Sequence, residues 1–233
     1  MKDLCSLDIT RGIGTPHNPT FYQLPSCDIA SIDIMKNVKK ITGMKVKFEY
    51  LEKVLHVPDI VNANDTTNDY LKEVESRLSE QSNVKTLEYL IEEEKDWPKL
   101  NLRQSGNIIF NYYLRKNIKF VSNTNHHHVA NNFYQMKMDK HYEAQFAILN
   151  SSFTIQSIEN TAKPQGNGLK KIQLNKFREV RVIDASRISE TSRESLSALG
   201  QKLIDAETTK SICNIRKEID EIVVNILQGR LTH

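Results

Sequence analysis

Asn131–Leu174 reads NNFYQMKMDKHYEAQFAILNSSFTIQSIENTAKPQGNGLKKIQL, and three textures follow one another within it. Val129–Met138 is aromatic and β-prone, which predicts a strand. In His141–Ile158, Tyr142, Phe146, Leu149, Phe153 and Ile155 recur near a 3.6-residue period, which predicts a helix interrupted by the polar break at Asn150. Gly166-Asn167-Gly168 is a turn signal, and the strand-like run Leu169–Leu174 follows it. Strand, helix and hairpin in that order predict an α+β fold: a mixed, mainly antiparallel sheet with flanking helices.

Working outward, Asn107–Leu114 and Asn117–Ser122 are further aromatic and β-branched strands, and Arg178–Asp184 reads as another. Residues 1–34 are strand-and-loop material, with Arg11–Thr20 supplying turn residues. Ile41–Tyr50 alternates as a half-buried strand, and Val54–Val61 reads as a second strand ended by Pro58. Tyr70–Lys95 predicts helix, with its apolar face broken near Gln81–Asn83. Thr191 and Glu194 have capping-box spacing at the start of a C-terminal helical pair jointed near Glu207–Thr209. Leu196, Leu199 and Leu203 form one stripe. Ile212, Ile215, Ile219, Ile222 and Ile226 form a seam stepping by three or four, and Gly229 ends the helix. Residues 1–188 thus form one domain, and 189–229 form a helical segment that packs on it or docks a partner.

The chain has 233 residues, enough for a sizeable core, and a mild net charge of +3. That charge permits an anionic partner without demanding one. Cys5, Cys27 and Cys213 form no C-x-x-C pair and read as free thiols in a reducing compartment. No apolar run reaches the length of a membrane span, and the first residues are too polar for a signal peptide, so the expected location is the cytoplasm. The six prolines include no adjacent pair, which excludes the N-P-P-Y type of motif that holds a target amino group for methyl transfer. Gly166–Gly168 precedes a strand rather than a helix, so a phosphate loop is excluded as well. No G-x-S-x-G and no H-E-x-x-H occur. His126, His127 and His128 alternate faces if extended, so regular structure cannot turn all three on one ion. Asp59, Asp65 and Asp184 lack the paired carboxylate–lysine spacing of a nuclease site, and no catalytic residue and no metal ligand is assigned.

These residues resemble a family. Arg11, Gly12, Thr15 and Asn18 fit an R-G-x-x-T-G-x-N signature in which Pro16 replaces the second glycine. Asn132-Phe133-Tyr134, Leu149–Ser152, Gly166–Lys170 and the helical pair Arg216 and Asp220 follow in order. The whole, over residues 5–228, is similar to the target-recognition region of N6-adenine DNA methyltransferases of restriction–modification systems. It is also similar to the recognition domains of type I specificity subunits. The resemblance implies sequence-specific binding of double-stranded DNA. It implies a methyltransferase domain or subunit as partner, with S-adenosylmethionine on that missing domain and no cofactor in this chain. It implies a specificity part that does not methylate alone, whether excised or naturally separate.

Reading DNA needs hydrogen-bonding side chains at base edges and cations at phosphates. Lys163, Gln165, Asn167, Lys170 and Lys171 surround two glycines that allow close backbone approach. Arg103 and Gln104 precede a strand, Arg115 and Lys116 sit in a turn, and Arg11, His17 and Asn18 lie on the early loop. Each has a structural alternative: a surface hairpin with incidental charge, or turn capping by Thr15 and Asn18. Phe133 and Tyr134 read as core, and Asn150 as a cap or brace. The competing function is a protein-interaction scaffold acting through the isoleucine seam.

Overall fold

The computed structural model describes residues 9–80, 91–92, 96–115, 118–180 and 182–229. In chain order its elements are β1 (Ile9–Arg11), α1 (Asn18–Tyr22), β2 (Ser31–Met35), β3 (Glu52–Leu55), α2 (Asp65–Glu80), β4 (Ile108–Asn111), β5 (Tyr113–Leu114), β6 (Phe120–Ser122), β7 (His128–Val129), β8 (Phe133–Met136), α3 (Tyr142–Leu149), α4 (Ser152–Thr161), β9 (Lys163–Pro164), β10 (Lys170–Lys171), α5 (Leu174–Phe177), α6 (Glu190–Ile204) and α7 (Thr209–Leu227).

The central sheet runs β1-β8-β4-β6 and is antiparallel throughout. Its strands β4, β6 and β8 are buried along almost their whole length because both faces are covered. Ile108, Phe110, Phe120 and Tyr134 point to the main core, while Ile109, Val121 and Phe133 point to a second cluster with Met35 and Val46. β3-β2-β7 forms a second sheet, mixed because β2 pairs β7 in parallel. It packs with α2 around Phe21, Val54, Leu71 and Trp97. β5-β10-β9 forms a third, antiparallel sheet. The expected α+β class and mainly antiparallel pairing are present.

The chain from Ile108 to Leu114 serves two sheets. Up to Asn111 it pairs β8, and at Tyr112 it turns: Tyr112 N–H donates to Asn132 O while Tyr112 O accepts from Ile172 N–H. From Tyr113 it pairs β10. The Tyr134 hydroxyl donates to Ile172 O at 3.0 Å, which ties the two sheets together.

Several elements differ from the sequence reading, each for a visible reason. Ile41–Tyr50 is not a strand. Its contact with β6 is a single bridge, Lys45 to Ser122. A one-turn helix at Phe48–Tyr50 then throws Phe48 outward to 70% exposure while Tyr50 stays buried. Arg178–Asp184 contains no strand among its described residues. There the buried Gln145 side chain replaces a neighbouring strand, donating to Ile183 O and accepting from Ala185 N–H. The helix expected over His141–Ile158 is two helices broken at Asn150-Ser151, and Ser151 caps the second by accepting from Thr154 N–H. Leu169–Leu174 is extended only at Lys170–Lys171, since α5 starts at Leu174. The run read only as turn residues before Phe21 holds α1, with Pro19 in its first turn. α6 is capped by Ser189, which accepts from Ser192 N–H, not by Thr191. Gln81–Asn83 and Lys116 lie outside the described residues.

The C-terminal helices complete the main core. Leu196, Leu199 and Leu203 are buried as expected. The isoleucine seam also turns inward: Ile212 and Ile219 are buried, and Ile215, Ile222 and Ile226 pack half-buried on the same core. The seam therefore packs on its own domain, the first of the two alternatives its spacing allowed. Gly229 closes α7 with φ +70°, its N–H donating to Ile226 O.

α6 approaches α3 through Gly200. A Cβ there would lie 2.0 Å from Glu143 O, so backbone would have to move. Gly200→Ala adds about 1 kcal/mol of helix propensity. It should nonetheless lower stability by about 2–3 kcal/mol, because the overlap is with backbone. Urea unfolding should show a lower midpoint at unchanged m-value. An equal or higher midpoint would contradict this close packing.

Candidate nucleic-acid interface

The Gly166-Asn167-Gly168 turn has the hairpin geometry its sequence suggests. Leu169 N–H donates to Gly166 O, and the two central residues, Asn167 and Gly168, have φ +49° and +69°. Positive φ at both positions is the sign of a type I′ turn, for which Asn-Gly is the favoured pair. Leu169 O also accepts from Gln165 N–H, so two residues of one arm oppose one of the other, as in a bulge. A Cβ at Gly166 or Gly168 would meet nothing within 4 Å, so the tip projects into open space.

Register fixes what the arms display. Lys163 pairs with Lys171, and Lys171 with Tyr113, which places the three side chains in one row on one face. The Lys171 ammonium sits 5.4 Å from the Tyr112 ring centroid and 5.5 Å from that of Tyr113. The Arg11 guanidinium lies 4.9 Å from the same Tyr112 ring. β1 and the hairpin, far apart in sequence, thus meet through one aromatic residue held at the sheet switch. Burial raises the Tyr112 hydroxyl above the ordinary tyrosine range, with Tyr113 adding to the shift, so it stays neutral.

Beside this row lies a cleft of about 710 Å³. The hairpin tip at Asn167 and Gly168, the strand from Phe110 to Arg115, Ile118-Lys119 and the loop around Val38 and Ile41 form its walls. Among the described residues, Arg11, Arg115, Lys163, Lys170 and Lys171 form no ion pair, whereas Lys36, Lys40, Lys47, Lys53 and Lys176 do. Unneutralised cations interleaved with aromatic rings suit a polyanion that also offers flat faces.

The remaining sequence candidates lie elsewhere. His17 is at the start of α1 with Nδ1 2.8 Å from Thr20 Oγ1, beside a smaller pocket that includes Tyr70 and Arg77. Asn18 Oδ1 accepts from the Thr15 hydroxyl at 2.7 Å, which is the turn-capping alternative. Arg103 and Gln104 are exposed on the loop entering β4. Sequence reading missed Lys39, Lys119, Asn37, Asn111 and Asn132, which line the cleft with Arg115 and Asn167. Their local context carries no signal, and only the fold gathers them.

The histidine triplet does not converge. His126 Nδ1 contacts Ser105 O at 2.9 Å, His128 Nδ1 contacts Ser105 Oγ at 3.2 Å, and the buried His127 Nε2 has no hydrogen-bond partner among the described residues. Burial lowers the pKa of both His127 and His128. Among the described residues, no group of three or more His, Cys, Asp or Glu side chains is placed to hold a metal. No helix among them is long and apolar enough to cross a membrane.

No protein-family model matches the chain, and no curated protein does. It is similar in structure to the type IIG restriction endonuclease BpuSI, with a TM-score of 0.54 at 12% sequence identity. The match covers 97% of this chain and 30% of that one, so the chain spans about a third of the larger protein's length. The likeness is one of fold, a fold found within a restriction enzyme.

Lys119 gives this region a pH signature. Its ammonium donates to Ile41 O at 2.7 Å and Gly43 O at 2.8 Å. Burial, helped by the nearby Arg216, pushes its pKa down from the ordinary 10.5 to about 8. Below pH about 8 both folded and unfolded chains hold the proton, and the folded state carries the full burial penalty. Between about 8 and 10.5 the folded lysine loses its proton first, so stability rises with pH. The stability of wild type relative to Lys119→Met should therefore rise between about pH 8 and 10, whatever the tyrosines with raised pKa subtract from both chains. A constant difference between the two chains over that range would refute the assignment.

Proposed function

We propose that this chain recognises double-stranded DNA in a sequence-specific way, as the specificity part of an N6-adenine DNA methyltransferase of a restriction–modification system. The observation that carries this reading is the basic–aromatic row Lys163–Lys171–Tyr113 with Arg11 on Tyr112, unneutralised and at the rim of a cleft. The fold shared with part of a restriction endonuclease supports it. In this reading Lys163, Lys170, Lys171, Arg11 and Arg115 meet phosphates, while Gln165 and Asn167 at the projecting turn reach base edges. Lys116, Arg103, Gln104, His17 and Asn18 are further contact candidates. Methyl transfer, and the S-adenosylmethionine it uses, belong to a domain or subunit other than these residues. The packing of the isoleucine seam on its own core supports this reading over the scaffold alternative.

The test is a salt series of duplex binding by the full chain. Lys170→Ala with Lys171→Ala should weaken binding and reduce the slope of log K against log salt by about 0.9 for each phosphate that is no longer neutralised. Substituting Asn167 or Gln165 should instead relax preference at one base pair, by about 1–3 kcal/mol. An unchanged slope removes the hairpin from the interface. Absence of any base preference in selected duplexes, with the methyltransferase present, defeats the reading as a whole.

A further inference from the structure

The cleft beside the hairpin has a composition that duplex binding alone does not explain. Among the described residues, three cations line it, Lys39, Arg115 and Lys119, and no acidic side chain does. None of the three forms an ion pair among those residues. Lys119 spends two of its three N–H groups on backbone carbonyls and keeps one. Arg216 lies close enough to disfavour its charge, and Arg216 itself is bound to Ile118 O and Asn150 Oδ1 rather than to a carboxylate. The Asp220 carboxylate favours the charge on Arg216, whereas Lys119 forms no ion pair among the described residues and carries a burial penalty that an anion in the cleft relieves.

The cleft's amides are also fixed in direction. Asn111 Oδ1 accepts from Tyr113 N–H at 2.8 Å, and Asn37 Oδ1 accepts from Lys39 N–H at 3.0 Å. Asn132 Nδ2 donates to Lys36 O at 3.1 Å. Each amide is thus held by one end. The amino groups of Asn37 and Asn111 and the carbonyl of Asn132 are left without a partner among the described hydrogen bonds. Two donors and an acceptor beside Phe110, Tyr113 and Ile118 suit a flat heteroaromatic edge that carries both kinds of group. A volume of about 710 Å³ takes one molecule of ordinary ligand size but not a duplex.

We infer that this cleft is a nucleotide site: Lys39, Arg115 and Lys119 hold a phosphate, and Asn37, Asn111 and Asn132 hold the base. The inference rests on the DNA reading only for the source of that nucleotide, which is then an unpaired or extruded unit of a bound strand rather than a free mononucleotide.

The experiment is amide NMR of the full chain titrated with each 5′-deoxynucleoside monophosphate, with inorganic phosphate and with the unphosphorylated nucleosides. A preferred mononucleotide should shift Asn37, Lys39, Asn111, Asn132 and their neighbours, and bind at least about tenfold more tightly than phosphate or nucleoside alone. Asn111→Asp keeps the bond from Tyr113 N–H and replaces the free amino donor by a carboxylate oxygen. It should weaken binding at least about tenfold at unchanged melting temperature. Arg115→Ala, at an exposed rim position, should weaken it with the phosphate present and leave nucleoside binding alone. Cleft shifts with a single-stranded oligonucleotide identify a strand as the source, and shifts with mononucleotide only identify a free nucleotide.

No cleft shifts at about 10 mM, where a Kd near 1 mM would fill the site to about 90%, overturns the inference. So does phosphate binding as tightly as the nucleotide, or an Asn111→Asp variant that binds normally. Duplex binding with a silent cleft overturns this inference and leaves the DNA reading standing, and a responsive cleft without duplex binding does the reverse.

Discussion

The side-chain amide of Asn150 is the interaction on which the rest of the molecule depends. It is fully buried. Its oxygen accepts from Phe120 N–H and from the Arg216 guanidinium, and its nitrogen donates to Phe120 O and Phe146 O. The amide thus behaves as one more strand residue beside β6, as the cap of α3 and as the anchor of α7. Each of those groups would otherwise be an orphan in a fully buried site, at a cost of about 1–3 kcal/mol apiece. Two residues further on, Ser152 N–H and Oγ both donate to the Asp220 carboxylate, one helical turn from Arg216. L-N-S-S and R-x-x-x-D, about 65 residues apart in the chain, are therefore two halves of one clasp joining sheet, helical pair and C-terminal helix.

The position of the candidate interface follows from that frame. With both faces of the central sheet covered, a surface for recognition has to leave the sheet, and the turn at Tyr112 provides the exit. The strand abandons β8, joins the hairpin and carries the Tyr112 ring to where Arg11 and Lys171 converge. Elsewhere the lysines are neutralised locally, as in Lys40 with Glu52 and Lys47 with Glu207. Surface pairs of that sort contribute little to stability, so leaving the hairpin unpaired costs little and keeps its field available.

The fold class was legible from sequence because it lives in local signals: aromatic strands, helical spacing and the Asn-Gly turn each depend on a few neighbours. Asn150 was legible as a brace because a polar residue inside an apolar run must find partners. What failed were patterns whose outcome is decided at a distance. Val46, Phe48 and Tyr50 alternate as a strand would, yet only a single bridge to Ser122 receives that segment. Arg178–Asp184 is apolar enough for a strand, but the partner that meets it is the Gln145 side chain. The isoleucine seam has the spacing of an interface, and spacing cannot say whether the surface that covers it belongs to the same chain. For the site, charge clustered in sequence around Gly166–Gly168 was visible. Lys39, Asn111, Asn132 and Lys119 were not, because each is ordinary until the fold brings the four segments to one cleft.

The division between frame and surface also accounts for a fold kept at 12% identity. The frame is specified by a few buried polar groups, by glycines such as Gly200 where backbones touch, and by apolar positions that tolerate many side chains of similar volume. None of these constrains what the hairpin arms or the cleft walls carry. The two meet at one place. Arg216 belongs to the clasp, Lys119 lies just before the Phe120 that Asn150 holds, and Lys119 opens into the cleft. Charge in the frame and charge in the cleft are thus neighbours in a poorly hydrated region, where Coulomb interactions are weakly screened. Among the described residues, Lys119 is thereby the one cleft cation whose charge is felt by the frame, through Arg216, while Asp220 offsets Arg216 on the clasp side.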